Sequence, residues 1–166
     1  QFDLILCFQD APNPDFVCRR LRQEGFLVVL PADHPLCQKA RPLPDSRFPY
    51  LPGELLKEET FLLQSHSQQI RLQEDKLLAD LGKIPRTREI ENIETAVRLA
   101  AGGMGIAFCM ESYTQAFHTS KPVRYFRTGD PARYPWLTIC YKKEKAKSKN
   151  LLAFVDLIQK TVEEIL

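Results

Sequence analysis

Short apolar runs broken by proline and charge fill the first third of the chain, and they predict strands. Phe2–Phe8 (FDLILCF) is almost continuously apolar, the pattern of a strand buried on both faces. The turn signals of Asp10–Pro14 end it. Phe16–Leu21 and Phe26–Leu30 read as two further strands, the second closed by Pro31. Pro35, Pro42, Pro44, Pro49 and Pro52 then punctuate Ala32–Gly53, which excludes a long helix and predicts a connection.

From Glu59 the period changes. A strand at Thr60–Leu63 and a polar turn, Gln64-Ser65-His66-Ser67, precede apolar residues at Ile70, Leu77, Leu78 and Leu81, which predict a helix over Gln68–Leu81. Gly82 suits its C-terminus and Pro85 blocks its continuation. A short strand at Thr87–Ile90 leads to Asn92, a good N-cap, and Ile93, Ala96, Val97 and Ala100 share one face of a second helix. Gly102, Gly103 and Gly105 end that helix before a strand at Ile106–Cys109. This alternation of strand and helix predicts an α/β fold with parallel pairing. Beyond it lie a short helix in Glu111–Phe117, strands at Val123–Phe126 and Trp136–Tyr141, and a last helix with Leu151, Phe154, Val155, Ile158, Val162 and Ile165 on one stripe.

Composition narrows the function classes. The 166 residues are 44% hydrophobic and 27% charged, enough for a core in one domain or two small lobes. Lys plus Arg number 23 against 21 acidic residues, a net charge of +2 that demands no polyanionic partner. The five cysteines, Cys7, Cys18, Cys37, Cys109 and Cys140, form no CxxC pair, and reduced thiols in a cytoplasmic protein are expected. The longest uncharged apolar stretch, Leu99–Met110, holds 12 residues and three glycines, whereas a membrane span needs about 20 residues.

Two stretches carry a family resemblance. Phe26–Leu36 (FLVVLPADHPL) and Glu94–Cys109 (ETAVRLAAGGMGIAFC) resemble segments of LysR-type transcriptional regulators, the first ending in "HPL" and the second being the "ET…AAGxGI" helix-turn-strand. The "DLI" at Asp3–Ile5, the serine turn at Thr60–Ser67, the "GxxP" at Gly82–Pro85 and the late "YKK" strand follow in the same order. Cys109-Met110-Glu111 departs from the family, which usually places a proline after that strand.

The resemblance implies an effector-binding domain with a two-lobed fold like type 2 periplasmic binding proteins. Lobe I would comprise residues 1–29 plus 121–166 and lobe II residues 30–120. Relative to the family, the chain starts at the "DLI" strand, so lobe I is expected to be incomplete and the winged helix-turn-helix to lie outside it. The resemblance further implies a homodimer within a larger tetramer, and DNA contact only through that other domain.

A small, anionic effector is expected between the lobes, because helix N-termini present unpaired N–H groups and partial positive charge. Ser65, His66, Ser67 and Gln68 at the start of one helix, and Asn92 and Ile93 at the start of the next, are the candidates from lobe II; Phe8 and Gln9 are those from lobe I. Ser65, Ser67 and Asn92 are equally open to plain N-capping, Phe8-Gln9 to a strand-ending turn, and His66 to an exposed turn position. His34 reads as a hydrogen-bonded hinge residue, Arg19, Arg20 and Arg22 as solvated strand-edge charges, and the five lysines of Lys142–Lys149 as a solvated loop.

Catalysis finds no support in the motifs. Ser65-His66 is no triad, and GxSxG, P-loop and HExxH patterns are absent. Gly103-Met104-Gly105 follows a helix and precedes a strand, the reverse of a dinucleotide fingerprint. No metal and no cofactor is expected. The alternatives on the same fold are a free solute-binding protein and a prephenate dehydratase-like enzyme.

Overall fold

The structure, a computed structural model, describes residues 2–8, 14–82 and 86–165. Its regular elements in chain order are β1 (Leu4–Phe8), β2 (Phe16–Gln23), β3 (Phe26–Pro31), β4 (Thr60–Gln64), α1 (Arg71–Leu81), β5 (Arg86–Ile90), α2 (Ile93–Ala101), β6 (Ile106–Met110), β7 (Val123–Arg127), β8 (Trp136–Lys142) and α3 (Lys149–Ile165). The chain divides into two compact units, Gln1–Glu24 with Tyr134–Leu166, and Gly25–Arg133. The second unit holds β3 and β7 in its sheet, so a division after Val29 would cut through β3.

The first unit is a three-stranded antiparallel sheet in the order β1-β8-β2, covered by α3. Ile139 and Tyr141 on β8 pack against Val155 of α3, with Leu4, Val17, Leu21, Leu151, Leu152 and Ile158 around them. Here β1 corrects the expectation of a strand buried on both faces. It is an edge strand, with Ile5 39% and Leu6 50% exposed. The apolar run is real, but only β8 lies beside it among the described residues. Phe154 likewise leaves the expected buried stripe of α3, at 53% exposed, while Val155 beside it is fully buried.

Cysteine chemistry is corrected in the same sheet. Cys18 on β2 lies directly opposite Cys140 on β8, Cα atoms 4.2 Å apart, and the two form a disulfide. Cys37 and Cys109 are free thiols, and burial raises the pKa of Cys7, Cys37 and Cys109. The neighbouring arginines are also partnered. Arg19 pairs with Asp156, Arg22 with the fully buried Glu24, and Arg20 stands over the Trp136 ring.

The second unit is a five-stranded sheet in the order β5-β4-β6-β3-β7. β4 runs parallel to both β5 and β6, as the alternation predicts, and β3 runs antiparallel to β6 and β7. β3 and β6 are the central apolar runs, and Phe26–Leu30 and Ile106–Met110 are buried throughout. β5, charged and exposed, makes an edge that resists pairing with another chain.

Two crossovers of opposite direction order this unit. α1 links β4 outward to β5, and α2 links β5 back past β4 to β6, so right-handed connections place the helices on opposite faces. Ala96, Val97 and Ala100 of α2 pack on Leu27, Val29, Leu62, Ala107 and Cys109. The other face carries Phe26, Phe61 and Phe108, whose rings lie 5.3–5.4 Å apart in successive pairs. The glycine pair closes α2 onto β6: Gly103 takes φ +79, and a Cβ on Gly105 would lie 2.5 Å from the Thr60 carbonyl oxygen. Its work is a tight turn and close approach, as expected.

Candidate functional site

At their C-terminal ends β4 and β5 stand side by side, with Gln64 opposite Ile90. The chain leaves β4 toward α1 on one face and leaves β5 toward α2 on the other. Open α/β sheets bind ligands at such strand ends, at the topological switch point, which in the order β5-β4-β6 lies between β4 and β6. The loop Ser65–Ile70 leaves the end of β4, and the N-terminus of α2 follows the end of β5 beside it.

The loop differs from expectation. α1 begins at Arg71 rather than Gln68, and Ile70 at its N-cap makes no side-chain cap. Ser65–Ile70 instead forms successive turns, with Gln68 N–H donating to the Ser65 carbonyl and Arg71 N–H to that of Gln68. The Ser65 and Ser67 hydroxyls bond each other at 2.9 Å. Short side chains that satisfy each other locally compete with helix formation, which accounts for the later start. His66, Ser67 and Gln68 are exposed and Ser65 is half-buried.

Asn92 does cap α2: its side-chain oxygen accepts from Thr95 N–H at 3.1 Å. Ile93 follows, packed against the α2 core cluster. Phe8, at the end of β1 and opposite Leu137, belongs to the first unit. Gln9 lies outside the described residues.

Three polar residues beneath the loop went unnoticed in the sequence. The Arg71 guanidinium donates to the Gln64 carbonyl at 2.8 Å and to Asp75 at 2.7 Å, which fixes a positive charge at the strand end. Glu74 is fully buried, and its Oε2 accepts from Gln64 N–H at 2.8 Å. Burial raises its pKa to about 7, against the lowering effects of that hydrogen bond and of Arg71. Gln64 is 1% exposed, and among the described residues neither its side-chain nitrogen nor its oxygen has a hydrogen-bond partner. The i,i+4 spacing of Arg71 and Asp75 is a helix-pair signal, but a glutamine at a strand end reads only as turn.

The remaining candidates fall elsewhere. His34 accepts from Leu36 N–H through Nδ1 and lies 3.5 Å from Glu59, a local structural role. Lys145 pairs with Asp3 and Lys142 with Glu144. Among the described residues no three His, Cys, Asp or Glu side chains gather as a metal site, and no helix is long and apolar enough to cross a membrane.

Comparison with known proteins specifies the class to which this two-unit α/β fold belongs. The model of the LysR substrate binding domain matches residues 1–163. The chain belongs to that family, as an effector-sensing regulatory domain with the periplasmic-binding-protein-like fold. No curated protein matches it. Among solved structures, it is similar to the reduced OxyR regulatory domain of Pseudomonas aeruginosa (22% identity, TM-score 0.74, covering 95% of this chain and 72% of that one). The CcmR regulatory domain of Synechocystis PCC6803 in complex with 2-PG is also similar (19%, 0.77, 98% and 74%). A third is the BenM effector-binding domain with its effector benzoate (22%, 0.74, 96% and 68%). At these identities the likeness supports the fold.

Proposed function

We propose that this domain binds a small carboxylate-bearing metabolite at the ends of β4 and β5 and passes the binding event to a separate DNA-binding domain. The end of β4, at the switch point beside β6 and next to the end of β5 that leads into α2, is the observation that carries the reading. Asn92 takes up Thr95 N–H, the N–H groups of Ile93 and Glu94 precede any intrahelical acceptor, and Arg71 adds positive charge at the strand end. Ser65, His66, Ser67 and Gln68 line the loop side and offer hydroxyl, imidazole and amide donors. Benzoate, the effector of one similar structure, is itself a carboxylate.

In this reading the two units are the two lobes, the first of them partial, and the domain senses rather than catalyses. The effector acts by binding one lobe or subunit arrangement more tightly than another, since equal affinity shifts nothing. The regulator works in the cytoplasm as a homodimer or homotetramer. The test is calorimetry over a broad metabolite panel, followed by reporter transcription with Ser65→Ala/Ser67→Ala in the full-length regulator. A ligand whose binding and transcriptional response both weaken in the variant supports the site; unchanged binding and transcription would sink it.

A further inference from the structure

We infer that Gln64 reads the effector directly and that the effector is an amino carboxylate, a small zwitterion; the inference rests on the strand-end site above. Gln64 ends β4 with its side chain almost wholly buried and both amide atoms unpaired among the described residues. A buried amide atom without a partner is costly to leave unpaired. Side chains alternate along a strand, so Gln64 shares the face of Leu62, which packs on Ala96, Val97 and Ala100 of α2. Its register partner Ile90 belongs to the same packed layer. The amide therefore sits on the α2 side of the sheet, at the end of β4, beside the end of β5 from which the chain enters that helix.

The first turn of α2 supplies the complementary half. Asn92 occupies Thr95 N–H, and Ala96 N–H returns to the Asn92 carbonyl. The N–H groups of Ile93 and Glu94 precede any intrahelical acceptor. A ligand carboxylate would accept from them and from Gln64 Nε2, but it would leave Gln64 Oε1 unpaired, because a carboxylate has no hydrogen to give. A donor on the ligand, next to its carboxylate, pairs both amide atoms at once.

Charge selects the donor. Glu91 immediately precedes the cap and Glu94 lies in the first turn, the latter bridged to Arg98 at 2.7 Å. These carboxylates oppose a bare anion and favour a ligand that brings its own positive charge. An ammonium meets both requirements, whereas a hydroxyl meets only the hydrogen bond.

The experiment is isothermal titration of the protein with matched trios: alanine, leucine, phenylalanine and glutamate, each beside its 2-hydroxy acid and its deaminated acid. At least one amino acid is expected to bind tenfold or more tightly than its deaminated analogue. Gln64→Leu should shrink that preference to under threefold, and Gln64→Asn, which withdraws the amide by one methylene, should shrink it in the same direction. Circular dichroism melts verify that both variants fold. Equal binding of amino and deaminated acids overturns the inference, as does a preference that survives both substitutions; the latter means that water rather than ligand satisfies the amide. The strand-end site survives either result if Asn92→Ala still weakens carboxylate binding, and falls with the inference if no substitution at Gln64, Ser65, Ser67 or Asn92 changes it. Absence of binding by all twelve probes also overturns the amino carboxylate assignment.

Discussion

Glu74 of α1 accepts a 2.8 Å hydrogen bond from the backbone N–H of Gln64, and so ties the helix to the last residue of β4 from a fully buried position. Burial lifts its pKa from 4.5 to about 7. Between those values the folded protein holds a proton that the unfolded chain has released, so stability falls as pH rises across that window. The full contribution is about 3 kcal/mol. Urea midpoints measured from pH 4.5 to 8 should decline, and Glu74→Gln, which keeps an acceptor for Gln64 N–H, should flatten the decline. A wild-type midpoint independent of pH contradicts the assignment.

The disulfide joins residues 122 apart in sequence, so it constrains a long loop of the unfolded chain. Cys18→Ala/Cys140→Ala should lower unfolding free energy by about 2–4 kcal/mol. The oxidised protein should lose a Cys18–Cys140 cross-linked peptide on reduction before digestion. Recovery of both cysteines as free thiols from unreduced protein would refute the pairing.

Gly105 and Gly103 separate two causes of glycine preference. Both have positive φ, +154 and +79, but only at Gly105 would a Cβ meet backbone, 2.5 Å from the Thr60 carbonyl oxygen. Nothing lies within 4 Å of a Cβ at Gly103. Gly103→Ala should cost about 1–2 kcal/mol, the left-handed penalty alone. Gly105→Ala should cost more, because β6 must move away from β4. Equal losses in chemical denaturation would mean that the close approach is relieved without cost.

Legibility in the sequence followed the range of the interactions. Asn92 was readable as a cap because the hydrogen bond spans three residues, and the central strands because Phe26–Leu30 and Ile106–Cys109 are runs too apolar for an exposed strand. The start of α1 was not readable, since Ser65 and Ser67 can cap a helix or bond each other, and the choice lies in side-chain geometry. Cys18 and Cys140 meet only through the register of β2 on β8. Gln64 and Glu74 were hidden for a related reason: their burial depends on how α1 docks, and nothing local to either residue announces it. The exposure of Ile5 and Leu6 shows the same limit from the other side, because an apolar run does not state how many neighbours it has.

Asn92 allows stability and binding to be pulled apart. Asn92→Ala removes the acceptor for Thr95 N–H and should cost about 1 kcal/mol of stability. Asn92→Asp retains an acceptor and places a negative charge at the positive end of α2, so stability should match or slightly exceed that of wild type. The same charge would stand beside the proposed carboxylate position and repel it. Affinity for the tightest-binding carboxylate of the panel should therefore fall about tenfold, equivalent to 1.4 kcal/mol, in a protein whose melting temperature has not dropped. If Asn92→Asp binds that ligand as well as wild type, Asn92 is a helix cap alone and the carboxylate does not lie at the start of α2.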